Sequence, residues 1–214
     1  PSQYSSTGSV TDSEQLAKNF GIELHTLAIK ETFDQYLELF TDLFREQEPD
    51  VTEENLQARI RGNIVMALSN KFGWLPLATG NKSEVSVGYS TIYGDMVGGF
   101  SPLKDVMKIT VYDLARYRNE LAGNDIIPKN IIEKAPSAEL RPDQKDQDSL
   151  PPYEVLDDIL HQYVEKAAGF EEIVASGHDR EVVKKVLRLV DVNEYKRRQA
   201  APGVKITQLA FGKD

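Results

Sequence analysis

The 214-residue sequence predicts an α/β fold in which crossover helices flank a mostly parallel sheet. Amphipathic helical patterns alternate with two short apolar runs, at 22–29 and 74–78. The second run ends abruptly in small and polar residues, as a buried strand does where its last side chains reach the carboxyl edge of a sheet. Beyond residue 100 the strand signal stops and helical patterns continue. We therefore expect an α/β part at about 1–100 and a mainly helical part at about 101–214.

Composition is ordinary for a globular protein and excludes several kinds of site. Hydrophobic residues make up 40% of the chain and charged residues 28%. The net charge of −9 has the wrong sign for a general binder of nucleic acid or of anionic membranes. The sequence contains no cysteine, which excludes disulfides, thiolate nucleophiles and zinc–thiolate sites. No apolar run approaches the roughly 20 residues that a membrane helix needs. We expect a cytoplasmic protein without nucleic-acid or membrane partners.

Local signals divide the first part of the chain into helices and strands. Thr11 and Glu14 form the T-x-x-E pattern of a capping box, and Gly21 is a typical helix stop. Residues 22–29 alternate apolar and polar side chains, which is typical of a strand. In order, we predict a helix from Thr11 to Phe20, a strand at 22–29, a helix from Thr32 to Phe44, a long helix capped by Thr52 and ended by Gly73, and a buried strand at 74–78.

The second part shows no strand pattern. A polar, proline-rich stretch at 136–152 separates its helices, and we expect a mobile loop near 141–152. From Pro202 onward the pattern is extended. The predicted helices are a short one opened by Pro102, then 109–121, 128–135, 153–168, 170–176, 180–190 and 193–199.

The string TGNKSE at 79–84 is the first candidate site. Thr79 and Glu84 flank a loop directly after the predicted strand, and ligands of α/β sheets bind beyond the strand ends. A carboxylate there could hold Mg²⁺, which takes one or two protein carboxylates and leaves room for phosphate oxygens. The alternative is a plain turn, because Gly80-Asn81 is a strong turn dipeptide. Glycines that permit close backbone approach or positive φ follow at 80, 88, 94, 98 and 99.

Four further positions each have a functional and a structural interpretation. Arg59 shares a helix face with Asn55 and could clamp a carboxylate or phosphate, or simply be solvated. Lys108, near a helix start, could meet a phosphate or be a surface lysine. Ser137 lies in a stretch that could contact a ligand or only connect helices. Lys196 lies in a basic cluster that could receive an anion or only complement a helix dipole.

Taken in order, six features strongly resemble those of NAD⁺ synthetases, and they cover nearly the whole chain. The resemblance is closest to the synthetase domain of the glutamine-dependent enzymes. It implies an adenine nucleotide alpha hydrolase-like (Rossmann-like) fold. The features are NLQAR at 55–59, ATGNKSE at 78–84, YGDMVGGFSPLKD at 93–105, the lysine at 108, APSAEL at 135–140 and EYKRRQ at 194–199.

The resemblance implies a two-step amidation that completes NAD biosynthesis. ATP adenylates the nicotinate carboxylate of deamido-NAD⁺ and releases pyrophosphate, and ammonia then displaces AMP. ATP and Mg²⁺ are the implied cofactors, and ammonia comes from glutamine through an amidase domain. A homodimer or higher homo-oligomer is also implied. Matched by motif, Arg59, Glu84, Asp95 and Lys196 would contact deamido-NAD⁺, Thr79, Lys108 and Ser137 would contact ATP, and Glu84 would also hold Mg²⁺.

The sequence departs from the family pattern in two places. The S-G-G-x-D-S pyrophosphate-binding loop is absent, so the chain resembles a synthetase domain without its first strand. Ile92 stands where ammonia-dependent relatives carry a lysine, which favours the glutamine-dependent branch. Two alternatives stay open: another ATP-pyrophosphatase-type amidotransferase, such as a GMP synthetase-like ligase, and a non-catalytic assembly module.

We expect the 214-residue chain by itself to be inactive or barely active, because its sequence lacks the glycine-rich backbone cradle for pyrophosphate. The measurement is pyrophosphate release from ATP, deamido-NAD⁺ and ammonia. Robust turnover by the chain alone would contradict this expectation.

Overall fold

The computed structural model describes residues 1–211, and its regular structure is helical. None of these helices has the length and apolar character needed to span a membrane. A 3₁₀ turn at Asp146–Asp148 and a π-helical turn at His161–Glu165 interrupt the second half. The α-helices of residues 1–211 are α1 (Thr7–Phe20), α2 (Lys30–Phe40), α3 (Val51–Phe72), α4 (Lys82–Val87), α5 (Lys108–Ala122), α6 (Lys129–Glu133), α7 (Tyr153–Leu160), α8 (Phe170–Ala175), α9 (Arg180–Val192) and α10 (Glu194–Arg197).

The two predicted strands do not form, and this part of the sequence-based prediction is wrong for the described residues. Residues 22–28 are exposed and have no regular structure. Within residues 1–211, β-type pairing consists of one isolated parallel bridge between Leu77 and Phe100. A strand exists only where a second strand accepts its N–H and C=O groups, and no described segment does this for 22–28. The alternating apolar pattern at 22–29 therefore does not by itself produce a strand.

For helix α1 the predicted stop is confirmed and the predicted start is wrong. Helix α1 ends at Gly21, whose φ of 63° is the left-handed conformation expected of a glycine stop. Its start lies at Thr7, because Ser6 rather than Thr11 is the N-cap and accepts a hydrogen bond from the Ser9 N–H. The short helix predicted from Pro102 is a series of turns.

The chain forms two compact units, each made of two separate segments. The first unit contains Pro1–Arg61 and Tyr112–Ser149, and the second contains Gly62–Val111 and the segment that starts at Leu150. Helices α3 and α5 therefore contribute residues to both units. The sequence-based division near residue 100 stays a prediction.

The second unit has a dry helical core. Leu156 and Ile159 of α7, Ile173 of α8, and Val183 and Val186 of α9 are all 0% exposed. Buried positions three or four residues apart give α7 and α9 one apolar face each, and these faces pack against each other. The helices predicted at 153–168, 170–176 and 180–190 thus supply most of the side chains of this core.

A fully buried lysine lies at the start of α4 in the same unit. The Nζ of Lys82 is 2.8 Å from an Asp105 carboxylate oxygen and 2.7 Å from one of Glu165. It also donates to the Thr207 hydroxyl at 2.7 Å and the Leu209 carbonyl at 2.9 Å. A buried charge is tolerated only when it is paired and hydrogen-bonded, and Lys82 meets both conditions. The ammonium group thereby links four separate segments of the chain.

The Lys82→Met variant is expected to lower the free energy of unfolding by roughly 3–5 kcal/mol, because two largely buried carboxylates lose their cation. Denaturant unfolding followed by far-ultraviolet circular dichroism measures the change. The matched control is Lys129→Met, since the Lys129–Asp125 pair is exposed and 3.3 Å long, and it should change stability by less than ~1 kcal/mol. Equal losses in the two variants would contradict the assigned role of Lys82.

Candidate functional site

The TGNKSE string leads into α4: Asn81 is the N-cap, and Lys82, Ser83 and Glu84 are the first residues of the helix. The Asn81 side chain accepts a hydrogen bond from the Glu84 N–H at 3.0 Å. The Glu84 carboxylate in return accepts from the Asn81 N–H at 3.2 Å. This reciprocal capping box satisfies two N–H groups that a helix start leaves without partners. It also fixes the orientation of the Glu84 carboxylate.

Lys108, the first residue of α5, meets Glu84 directly. Its Nζ is 3.0 Å from the Glu84 carboxylate, and the two side chains are 17% and 20% exposed. The ammonium also lies 5.2 Å from the centre of the Tyr153 ring, within the range of a cation–π contact. The structure thus joins two residues that the sequence suggested separately as a phosphate contact and a metal ligand.

Thr79 lies just before α4 and is exposed. The preceding residue, Ala78, is buried and donates its N–H to the Phe100 carbonyl at 2.9 Å. A Cβ on Gly98 would come within 2.6 Å of the Ala78 nitrogen, so only glycine permits this close approach of the two backbones. Gly98 therefore supports the segment that presents Thr79.

Asp95 and Lys196 surround the turn that follows α4. Asp95 accepts a hydrogen bond from the Thr91 N–H at 2.6 Å. Burial raises the pKa of Asp95, although this backbone bond opposes part of the shift. Lys196 donates to the carbonyls of Gly88 and Ser90, each at 2.7 Å. Both residues therefore stabilise the turn that the sequence suggested as part of a dinucleotide pocket.

The basic EYKRRQ cluster contacts the carboxyl end of α4. Asn193 donates to the Val87 carbonyl at 3.0 Å, and Arg197 donates to the Ser86 carbonyl at 2.7 Å. Cationic groups at a helix carboxyl end bind its unpaired carbonyls and complement its dipole. The sequence left open whether this cluster receives an anion or complements a helix dipole. The structure shows the second role, and the helix concerned is α4, not the helix that contains the cluster.

The other two candidate residues, Arg59 and Ser137, belong to the first unit. The Ser137 hydroxyl accepts the Glu139 N–H at 3.1 Å. Arg59 is exposed and borders an apolar groove of about 200 Å³. The remaining lining residues of the groove are Leu37, Phe40, Phe44, Thr52, Glu53 and Leu56.

Glu139, which sequence reasoning did not assign, organises the surroundings of Ser137. Its carboxylate accepts from Lys134 at 2.6 Å, from the Ser6 and Ser9 hydroxyls at 2.8 Å each, and from the Ser6 N–H at 3.1 Å. Burial raises the pKa of Glu139, but these bonds outweigh it and hold the pKa at about 2. Lys134 is five positions away, but Ser6 and Ser9 are 133 and 130 positions away, so no local pattern indicates the full set of contacts.

A magnesium ion fits the chemistry of Glu84, whose carboxylate is a hard oxygen donor. Within residues 1–211, no three histidine, aspartate or glutamate side chains converge closely enough to hold a metal ion. A metal at Glu84 would therefore take most of its ligands from phosphate oxygens and water, as Mg²⁺ commonly does. The metal assignment stays a prediction.

Comparison with known proteins identifies the family. The family model described as NAD synthase matches residues 1–200. The chain belongs to the NAD synthase family. Among curated relatives of this NAD synthase chain, the glutamine-dependent NAD(+) synthetase of Thermotoga maritima is 57% identical over all 214 residues, and that of Aquifex aeolicus is 54% identical. The chain spans 37% of the length of each of these two relatives.

Solved structures agree with this membership. The glutamine-dependent NAD+ synthetase of Acinetobacter baumannii in complex with ADP is 48% identical, with a TM-score of 0.62, over 100% of this chain and 38% of its own. That of Cytophaga hutchinsonii is 24% identical, with a TM-score of 0.81, over 98% of this chain and 36% of its own. The second likeness shows the fold alone, and together they confirm the resemblance read from the sequence strings.

Glu139 should make the first unit sensitive to acid. Because its pKa falls from about 4.5 to about 2 on folding, its contribution is complete above pH 4.5 and is lost as the pH falls through about 2. The contribution is at most roughly 3 kcal/mol. The stability difference between the unaltered chain and Glu139→Gln should therefore shrink between about pH 5 and pH 2.

Denaturant unfolding at a series of pH values measures this difference. Glu133→Gln, which removes the same charge from an exposed residue of α6, is the control and should show no such convergence. A difference for Glu139→Gln that stays constant with pH would contradict the proposed pKa shift.

Proposed function

We propose that the protein carrying this chain is an ATP-dependent ligase that converts deamido-NAD⁺ to NAD⁺. The nicotinate carboxylate is adenylated with release of pyrophosphate, and ammonia then displaces AMP. The Glu84–Lys108 pair carries the proposal, since it sets a carboxylate and an ammonium 3.0 Å apart in a chain matched by the NAD synthase family over residues 1–200. The ADP complex of the relative that is 48% identical supports an adenine nucleotide as ligand.

In this proposal the ion pair between Lys108 and Glu84 opens when the nucleotide binds, and each side chain then contacts a ligand. Lys108 binds phosphate oxygens of ATP, and Glu84 holds Mg²⁺ and lies against deamido-NAD⁺. When bound, Mg²⁺ supplies positive charge that neutralises the phosphate oxygens. Thr79 and Ser137 contact ATP through their hydroxyl groups. No side chain of this set forms a covalent bond to the substrate, which agrees with a sequence that has no cysteine.

We assign the contacts with deamido-NAD⁺ to Arg59, Asp95 and Lys196, in addition to Glu84. Asp95 lies in the turn after α4, and Lys196 of α10 binds carbonyls of that turn, close enough to Asp95 to interact electrostatically. Arg59 is supported by its exposed guanidinium group, which suits a carboxylate or a phosphate. Lys196 also binds two carbonyls of the turn, so its loss would alter the shape of the turn as well as the contact.

The wider assignments follow from the curated relatives. These relatives are glutamine-dependent synthetases, which supports glutamine as the source of ammonia. In the proposal the ammonia reaches the site through an amidase domain. We further propose a homodimer or higher homo-oligomer and a cytoplasmic location. The parallel direction of the Leu77–Phe100 bridge supports a parallel sheet with crossover helices in the complete enzyme.

The test is amidation by the full-length product of the gene that encodes this chain. With ATP, Mg²⁺, deamido-NAD⁺ and ammonia, Lys108→Ala and Glu84→Ala are each expected to lower kcat/KM by about 10²-fold or more. The first variant removes a cation that binds the phosphates, and the second removes a carboxylate that would hold Mg²⁺ beside them. Pyrophosphate release and NAD⁺ formation are the readouts. Lys184→Ala, on the exposed face of α9, is the control and should leave kcat/KM unchanged.

Two results would contradict the proposed function or the role of the Glu84–Lys108 pair in it. One is turnover that requires a different acceptor acid, which would favour a GMP synthetase-like ligase. The other is full activity in both Lys108→Ala and Glu84→Ala, which would remove the pair from the reaction.

A further inference from the structure

A buried carboxylate on α7 connects the two helix starts that carry Glu84 and Lys108. Asp157 is 8% exposed. One of its oxygens accepts a hydrogen bond from the Ser83 hydroxyl at 2.5 Å. The other accepts the N–H of Ile109, in the first turn of α5, at 2.9 Å. Both oxygens are therefore used, and both bonds end beside a residue of the Glu84–Lys108 pair.

Ser83 completes the link from α4 to α5. It is 0% exposed and directly precedes Glu84. Because its single proton goes to Asp157, an oxygen lone pair remains for the Lys108 N–H, which it accepts at 2.9 Å. The first two N–H groups of α5 thus bind Ser83 and Asp157. A helix start normally needs such partners, and here other segments supply them.

These bonds set the backbone positions from which the two charged side chains extend. The Lys108 backbone is bonded to Ser83, and Glu84 follows Ser83 in the chain. The capping box fixes the carboxylate of Glu84 from the other side. The 3.0 Å separation of Lys108 and Glu84 therefore depends on a chain of short bonds that ends on Asp157.

Asp157 is well suited to hold this arrangement rigidly. Burial raises the pKa of its carboxyl group, and the bonds from the Ile109 N–H and the Ser83 hydroxyl oppose part of that shift. The negative charge of Glu154 raises the pKa of Asp157 further, and the positive charge of Lys108 lowers it. A buried side chain bonded through both oxygens has little freedom to move.

We propose that Asp157 is a positioning residue for the nucleotide. Through Ser83 and Ile109 it fixes the two helix starts from which the Lys108 and Glu84 side chains reach the ATP phosphates and Mg²⁺. The inference rests on the proposed function, since it assigns these two residues to the nucleotide. Small displacements of reacting or binding groups matter here, because a shift of about 1 Å can cost about 10² in rate.

The test uses Asp157→Asn, Ser83→Ala and the double variant in the full-length enzyme. Each single variant breaks the same link, so we expect each to lower kcat/KM for ATP by about 10-fold or more. The double variant should lose clearly less than the sum of the two single losses in free energy, because both single variants already break the shared Ser83–Asp157 bond. Calorimetric titration with Mg–ATP provides a second readout of the same loss.

A stability control separates positioning from general damage. Ile173→Ala removes 0%-exposed core volume from α8 in the same unit, and is expected to lower Tm without changing kcat/KM for ATP. The inference is overturned if Asp157→Asn and Ser83→Ala lower kcat/KM for ATP no more than Ile173→Ala does at a similar loss of Tm. Losses that add in the double variant would also overturn it.

The outcomes distinguish this inference from the proposed function. If the unaltered enzyme binds ATP but amidates another acid, the proposed function fails while the ATP comparison still decides the role of Asp157. If the unaltered enzyme binds no ATP, both are overturned. Should Asp157→Asn fail to fold, Ser83→Ala carries the test, since it deletes one hydroxyl from the same link.

Discussion

The buried ammonium group of Lys82 is the interaction on which the second unit depends most. Four segments meet at this one atom, and two of them contribute carboxylates. Such a group is favourable only as a complete set, because removal of any charged partner leaves another charge buried without compensation. Lys82 also precedes Ser83 and Glu84 in α4. The same residue that connects the tail of the chain to its core therefore anchors the helix that presents the candidate site.

Helix α4 shows why so many contacts converge there. It has 6 residues, too few for a helix to be stable by itself in water. Its start is held by the capping box and by Lys82, and its carboxyl end by Asn193 and Arg197. A short element held at both ends by distant segments can place a side chain accurately, because its position does not depend on its own helical propensity.

How much the sequence could predict depended on the range of each interaction. The helix stop at Gly21 and the starts of α7 and α9 at residues 153 and 180 are local features, and local patterns predicted them. The strand at 22–29 was wrong, because pairing requires a second segment that no local pattern reveals. The separate strings also named Glu84 and Lys108, yet their 3.0 Å contact joins residues 24 positions apart. Lys82 and Asp157 were missed because most partners of their side chains lie between 48 and 127 positions away.

The Glu84–Lys108 pair has a further consequence for how a nucleotide arrives. In the described structure the two charges neutralise each other at 3.0 Å, and the whole chain carries −9. An approaching polyanion therefore meets no strong attractive field at long range. In the proposed complex, binding of the nucleotide replaces the Glu84–Lys108 ion pair by two short-range contacts, one between Lys108 and phosphate and one between Glu84 and Mg²⁺. Because the chain and the nucleotide carry net charge of the same sign, added salt weakens their long-range repulsion.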